Sequence, residues 1–278
     1  MAASHGVNWD RARLLASPWF ASVRHVVERL PAERFPALDE LNALARQRNA
    51  RSAGGAAIVF VPAGERGREL ASQYEVRAFR VGEVQTRAES WHDLFNALAW
   101  LAFPRTKAML NRLHHDELVR RWGEPTRGTG RDVLTLFDEG GVIVACADPA
   151  LGQLLEAFRW RELFCARRAE AVAAMRFFVF GHAILERALA PYKAVTAKAL
   201  VIDVAEEAVA LPPDALVDLL DARAAEYFGR PDALDSTRAL HPLPVLGIPG
   251  WTAENEDPSY YDDEKVFRPG RAGARGGS

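Results

Sequence analysis

Two short stretches of the sequence set histidine beside carboxylate at helical spacing: WHDLFN from Trp91 and GHAILER from Gly181. On a helix advancing about 100° per residue, His92, Asp93 and Asn96 fall within an arc of roughly 100°, with His92 and Asn96 one turn apart on one face. His182 and Glu186 form a second pair four residues apart. If the two helices face each other, His92, Asp93, His182 and Glu186 offer two imidazoles and two carboxylates. That donor set suits a divalent transition metal such as Zn, Mn or Fe, with Asn96 orienting a ligand or a water. No HExxH or other dedicated metal motif is present. The competing reading is a buried polar network that fastens the core.

Asp138-Glu139 adds paired carboxylates, which can divide acid and base roles when their environments separate their pKa values. Either residue would serve as a carboxylate base beside His92 and Asn96. The Asp-Glu-Gly-Gly sequence is also what a tight turn requires, and the turn is the favoured reading. Gly181 precedes His182 where a strand is expected to run into a helix, a place where free N–H groups favour an anion. The simpler role for Gly181 is a tight strand-to-helix turn. Arg105 and Lys107 follow Pro104 in the first turn of a helix, where cations oppose the dipole, and are candidates for contacting an anionic substrate. His114-His115-Asp116 lies on a mixed, charged helix and reads as a solvated face.

The elements that must position these groups follow from periodicity. The segment from Trp91 is apolar almost all round, the mark of a buried helix, and it stops or kinks at Pro104 before a second helix to about Trp122. Residues 8–30 read as a helical region interrupted at Pro18, and 36–49 as a second helix. Ala56–Ala63 is a short apolar run expected as a buried strand. Tyr74–Val84 alternates and is expected as a strand exposed on one face. The GERGRE loop between them lacks the spacing of a phosphate-binding turn. Val133–Phe137 and Val142–Ala145 are expected to form a β-hairpin closed by Asp138–Gly141.

Further on, Asp148-Pro149 caps a helix to about Phe158, and another covers Trp160 to Arg168. Ala171–Phe180 is expected as a strand running into a helix at Gly181, with one long helix through Leu189 as the alternative; Ala197–Val204 is expected as a buried strand, and Pro212 to Phe228 as a helix. Pro242, Pro244 and Pro249 bar a regular helix or central strand in HPLPVLGIPGW, whose apolar residues predict an irregular segment packed across the domain.

The 278 residues, 49% hydrophobic and 26% charged, are the balance of a globular protein with a sizeable core. A formal net charge of −2 gives no basic signature, so nucleic acid is not an expected partner. Cys146 and Cys165 have no CxxC partner, which fits free thiols in a reducing cytosol. No secretory leader and no apolar run of membrane-spanning length is visible, so a cytoplasmic location is expected.

WHDLFNALAWLAFPRTKAMLN, TLFDEGG, FFVFGHAILER and PLPVLGIPGW together resemble an uncharacterised proteobacterial family, the domain of unknown function numbered three-zero-two-five. The likeness runs from about Tyr74 to Arg268. It implies a single family domain and carries no activity with it.

The expected architecture is therefore mixed α/β, of the α+β kind. Residues 1–55 form a helical N-terminal layer, and 56–268 a single domain with a small sheet and hairpin and an irregular Pro-rich C-terminal wrap. A disordered tail takes up 269–278. The leading functional expectation is a cytosolic enzyme, a metal-assisted hydrolase of a small anionic substrate. The alternative is a non-catalytic binding or interaction protein whose His, Asp, Asn and Glu network is structural.

Overall fold

The architecture comes from a computed structural model, described here over residues 8–64, 67, 69–123, 129–237 and 240–269. It is a mixed α+β fold with a two-stranded and a four-stranded sheet among helices. The N-terminal layer starts with α1 (Arg11–Ala16), whose first turn is capped by the Asp10 carboxylate accepting from the Arg13 N–H. Pro18 ends that run and opens a 3₁₀ turn, followed by α2 (Arg24–Val27) and α3 (Leu38–Gln47). Phe20, Val23 and Val27 are fully buried in the same core as the segments that follow.

The next unit is β1 (Val59–Pro62), α4 (Tyr74–Val81) and β2 (Glu83–Thr86), with β1 and β2 parallel. The expectation of a strand over Tyr74–Val84 is wrong for its first eight residues, which are helical. Eight residues are too few to separate the two periods, and Gly82 decides the matter. It ends the helix in the left-handed conformation at φ 74°, and a Cβ there would stand 1.9 Å from the Ala57 carbonyl oxygen. Only glycine allows β1 to pass so close. The first strand is shorter and less buried than the apolar run suggested, with Val59 exposed. Glu65, Arg66 and Arg68 of the GERGRE loop lie outside the described residues.

Helix α5 (Trp91–Ala102) begins at Ser90, whose Oγ accepts from the Asp93 N–H, and is buried over most of its surface. Pro104 breaks the chain and opens α6 (Pro104–Arg120), as its fixed φ allows at a first helical position. Phe103 cannot cap that helix. The buried Asp221 carboxylate does so from outside, accepting from the N–H groups of Arg105 at 3.0 Å and Thr106 at 2.7 Å.

No β-hairpin follows. Residues Thr129–Gly140 form helix α7, and Gly141–Cys146 form β3 directly after it. Val133, Leu134 and Phe137 are buried at positions i, i+1 and i+4, one face of a helix. Gly140-Gly141 is thus a helix-to-strand junction. The chain continues through α8 (Pro149–Glu156), a π-helical turn at Glu162–Ala166, and α9 (Arg168–Ala174). Next come β4 (Met175–Val179), α10 (His182–Arg187), β5 (Thr196–Asp203), α11 (Glu206–Val209), α12 (Pro213–Phe228) and β6 (His241–Pro244). Ala171–Ala174, expected as strand, is the end of α9.

The main sheet has the order β4-β3-β5-β6, with β3 and β5 parallel and the outer strands antiparallel to them. Every residue of β3 is buried, as a central strand covered on both faces requires. The proline-bearing β6 takes an edge, the place open to residues without an N–H. The C-terminal segment then wraps back, tied by Asn255 Nδ2 donating to the carbonyls of Leu246 and Ile248 and by Tyr261 donating to that of Gly247. Residues 270–278, which include all of the expected disordered tail but Pro269, lie outside the described residues. Among the described residues no helix is long and apolar enough to cross a membrane.

Candidate acid–base site

Helices α5, α6, α7 and α10 converge on a cluster of polar side chains that α4 closes from one side. At its base the Lys107 ammonium, buried on the first turn of α6, donates to Asp138 Oδ1 at 2.6 Å and to Asn96 Oδ1 at 2.9 Å. Asn96 Nδ2 donates in turn to the Tyr74 hydroxyl at 3.0 Å, and Trp100 Nε1 reaches the same oxygen at 3.4 Å. One turn further along α6, Asn111 Nδ2 donates to Glu75 Oε2 at 2.6 Å.

The His92 and His182 rings meet edge to face above this base, with centroids 4.6 Å apart. The His92 side chain is 41% exposed, and its Nδ1 lies 3.0 Å from Glu186 Oε2. The cluster therefore reaches solvent at His92 and Glu186, above the buried Lys107 and His182.

Burial would raise the Asp138 carboxyl, but the Lys107 charge and hydrogen bond, with help from His182, hold it at about 2. Burial would likewise strip the proton from Lys107, and Asp138 reverses that, so the ammonium is kept above its ordinary value. His182 is pushed down to about 4, chiefly by burial and further by the Lys107 and His92 charges, with Asp138 opposing. It is thus a neutral imidazole near pH 7. Its Nδ1 is buried with no hydrogen-bond partner, 3.9 Å from Asp138 Oδ2, beyond bonding range.

His92 and Glu186 form the chemically useful pair. A carboxylate only accepts, so in the neutral ring it holds the proton on His92 Nδ1 and leaves Nε2 as the basic atom. Such a carboxylate-oriented histidine takes a proton from a water or hydroxyl and returns it to a leaving group.

The structure brings His92, Asn96, Lys107, Asp138, His182 and Glu186 together and leaves the other expected groups outside. Asp93 is turned to Arg87, which forks onto both carboxylate oxygens at 2.8 Å and adds a third bond from its N–H at 2.7 Å. Among the described residues no group of three or more His, Cys, Asp or Glu side chains is placed to hold a metal ion. Glu139 is exposed at the end of α7, about 100° around the helix from Asp138, so the two carboxylates do not share a site. Arg105 points to a separate surface cleft, donating to the Asp218 carbonyl at 3.3 Å. Gly181 is not an open anion site, because its N–H is spent on the Gly141 carbonyl at 2.8 Å. Its smallness is what matters there: a Cβ would stand 2.4 Å from the Glu139 carbonyl oxygen.

Lys107, expected to touch substrate, is instead buried at the base of the cluster. His114 and His115 are buried as well, not solvated, and His115 stacks on Phe79 with centroids 4.1 Å apart. The signal was present in the sequence. Lys107, Asn111 and His114 lie at i, i+4 and i+7 on one face of α6, a polar stripe that a core-facing helix carries only when partners await it.

Residues 58–271 match the model of a family described as a protein of unknown function, DUF3025. The chain belongs to the DUF3025 family. The match covers more than half of the chain and includes every residue of the cluster, from Tyr74 to Glu186. It is the family that the WHDLFNA, TLFDEGG and PLPVLGIPGW motifs resemble. No curated protein and no solved structure matches the chain. The chemistry of this DUF3025 domain has to be read from its own side chains.

Proposed function

We propose that this DUF3025 domain is an enzyme that uses His92 as a general base, oriented by Glu186, to activate water against a small polar substrate. The observation that carries this reading is the half-exposed His92 ring, fixed at Nδ1 by a carboxylate and edge-on to a neutral buried histidine. In such an arrangement Nε2 is left as the basic atom of a half-exposed ring while the Lys107–Asp138 pair fixes the helices behind it. Lys107 and Asp138 are positioning residues in this scheme, because they are bound to each other beneath the two rings.

The reading departs from a metal-assisted hydrolase in two ways. Asp93 is committed to Arg87 and Glu186 to His92, so a shared ion with ligand distances near 2 Å would have to dismantle both contacts. The carboxylates of the cluster, Asp93, Asp138, Glu186 and Glu75, also outnumber its cations, Lys107 and Arg87, which gives no preference for an anion.

A non-catalytic role for the deep half of the cluster has its own support. The Asn96, Lys107 and Tyr74 bonds are mutually satisfied, as a network that fastens a core must be. The two halves are separable by experiment. A panel of p-nitrophenyl acetate, phosphate and glycoside substrates is assayed with the wild type and with His92→Gln and Glu186→Gln. A rate above background that falls by about 10²–10⁴ in His92→Gln, with thermal stability kept, supports the base. No turnover by the wild type, or equal rates in the two proteins, would mean that the cluster serves the fold alone.

A further inference from the structure

We infer that a second cavity, at the outer edge of the main sheet, is a binding site for an aromatic organic anion. It encloses about 620 Å³ beside β6 and shares no residue with the His92 cluster. That volume lies in the range of small-molecule sites, roughly 300–1,000 Å³. Its walls are Phe158, Trp160, Pro242 and Pro244, and Lys265 and Arg268 stand at its rim.

The walls are built for a flat apolar body. Phe158 and Trp160 stand at 82° to each other with centroids 5.7 Å apart, forming a corner into which a ring fits. Phe158 adopts a left-handed backbone at φ 59°, a conformation that bulky side chains avoid. Here it closes α8 as a capping turn, the Phe158 N–H donating to the Leu155 carbonyl at 3.0 Å and the Arg159 N–H to the Leu154 carbonyl at 2.9 Å, and the turn sets the Phe158 ring beside Trp160. Trp160 Nε1 donates to the Arg268 carbonyl at 3.0 Å, which seats the C-terminal segment over the cavity and brings the cations to its edge.

The rim supplies the charge. Both Lys265 and Arg268 are exposed, and among the described residues neither side chain forms an ion pair; the Asp263 carboxylate that accepts from the Lys265 N–H at 3.2 Å is itself paired with Lys193. Among the described residues the only side-chain hydrogen bond of Arg268 goes to the Lys265 carbonyl. Two uncompensated cations over an apolar corner are complementary to a carboxylate on an aromatic ring.

Other occupants fit less well. A strand cannot add to β6, because Pro242 and Pro244 have no N–H to offer. The sequence after Pro269, GRAGARGGS, carries two arginines and no large apolar side chain, so it matches neither the walls nor the rim.

The test titrates the full-length chain with 2-naphthoate and with its neutral isostere 2-naphthamide, followed by calorimetry and tryptophan fluorescence. Naphthoate is expected to bind once per chain and at least about tenfold more tightly than naphthamide. A Lys265→Ala/Arg268→Ala double variant brings naphthoate down to the affinity of naphthamide, and leaves naphthamide unchanged. Thr196→Trp, which fills the cavity from β5, abolishes both without lowering the melting temperature. Equal affinity for the two ligands overturns the anion assignment. Binding that survives Thr196→Trp overturns the site, as does no saturable binding at all. A shift from dimer to monomer in Thr196→Trp would instead make the cavity a seat for a second copy of the chain, and the inference would fall.

Discussion

A carboxyl at about 2 and an imidazole at about 4, side by side under one helix junction, give this protein two pH-dependent fasteners. An Asp138 depressed from its ordinary 3.8 contributes stability in full above that value, and loses it as the pH falls toward 2. His182 works in the same direction over a higher window. The unfolded chain takes up its proton near 6.5 and the folded chain only near 4, so stability declines as the pH drops between those values. Chemical denaturation of the wild type is expected to lose on the order of 2–3 kcal/mol from this group between pH 7 and pH 4. His182→Gln should flatten that slope even if its stability at pH 7 is lower; an unchanged slope would remove His182 as the cause. Lys107→Met should destabilise the fold by about 3–5 kcal/mol, since it leaves the largely buried Asp138 carboxylate without its cation. Adding Asp138→Asn to it should recover part of the loss in urea unfolding, as expected of a coupled pair.

Two contacts between elements decide whether the cluster assembles. Gly181 lets the turn between β4 and α10 lie against the end of α7, with the Glu139 carbonyl where a Cβ would be. Gly181→Ala must therefore push α10 away from α7, separating His182 from Asp138. The expected loss is about 1–3 kcal/mol by thermal unfolding, with the His92 and His182 ring resonances shifted in the NMR spectrum. The second contact is the Asp221 cap on α6, which reaches across from α12. Asp221→Ala should cost about 1–2 kcal/mol, because it leaves two first-turn N–H groups of α6 buried and unpaired. Asp221→Asn should retain most of that, and urea midpoints at fixed slope would distinguish the two. At this scale the sequence was clearest where an element had its own terminators. Pro104, Asp148 and the Pro212-Pro213 pair marked helix starts that the structure contains. It was least clear over Tyr74–Val81 and Val133–Phe137, where apolar residues fit either period and tertiary contacts chose the helix.

Across the molecule, the N-terminal layer and the main sheet share one core. Trp9 stacks on Trp91 with centroids 5.6 Å apart, Phe20 on Phe95 at 5.6 Å, and Trp19 packs on Trp251 of the C-terminal wrap at 5.4 Å. The Ser22 hydroxyl donates to the Val179 carbonyl at 2.6 Å, tying the layer to β4. The family match begins only at residue 58, yet the faces it leaves uncovered on α5 and β4 are large and apolar. A fragment of residues 58–271 is therefore expected to lack the single cooperative thermal transition of the whole chain and to bind a hydrophobic dye. A cooperative, dye-free fragment would show that the layer is an accessory.

The sequence by itself determined the mixed α+β class, the buried α5, the exclusion of the proline segment from a helix or a central strand, and the placing of His92 and Asn96 on one face of α5. Each is a local property: the period of apolar residues, a proline without an N–H, polar side chains one turn apart. The partners of that face were a tertiary decision. Asp93, one residue from His92, went to Arg87, while Asp138 and Lys107 came from separate helices to build the base of the cluster. A carboxylate's neighbours depend on which helices cross and where glycine lets them touch, and nothing in the spacing of residues along one helix encodes that crossing.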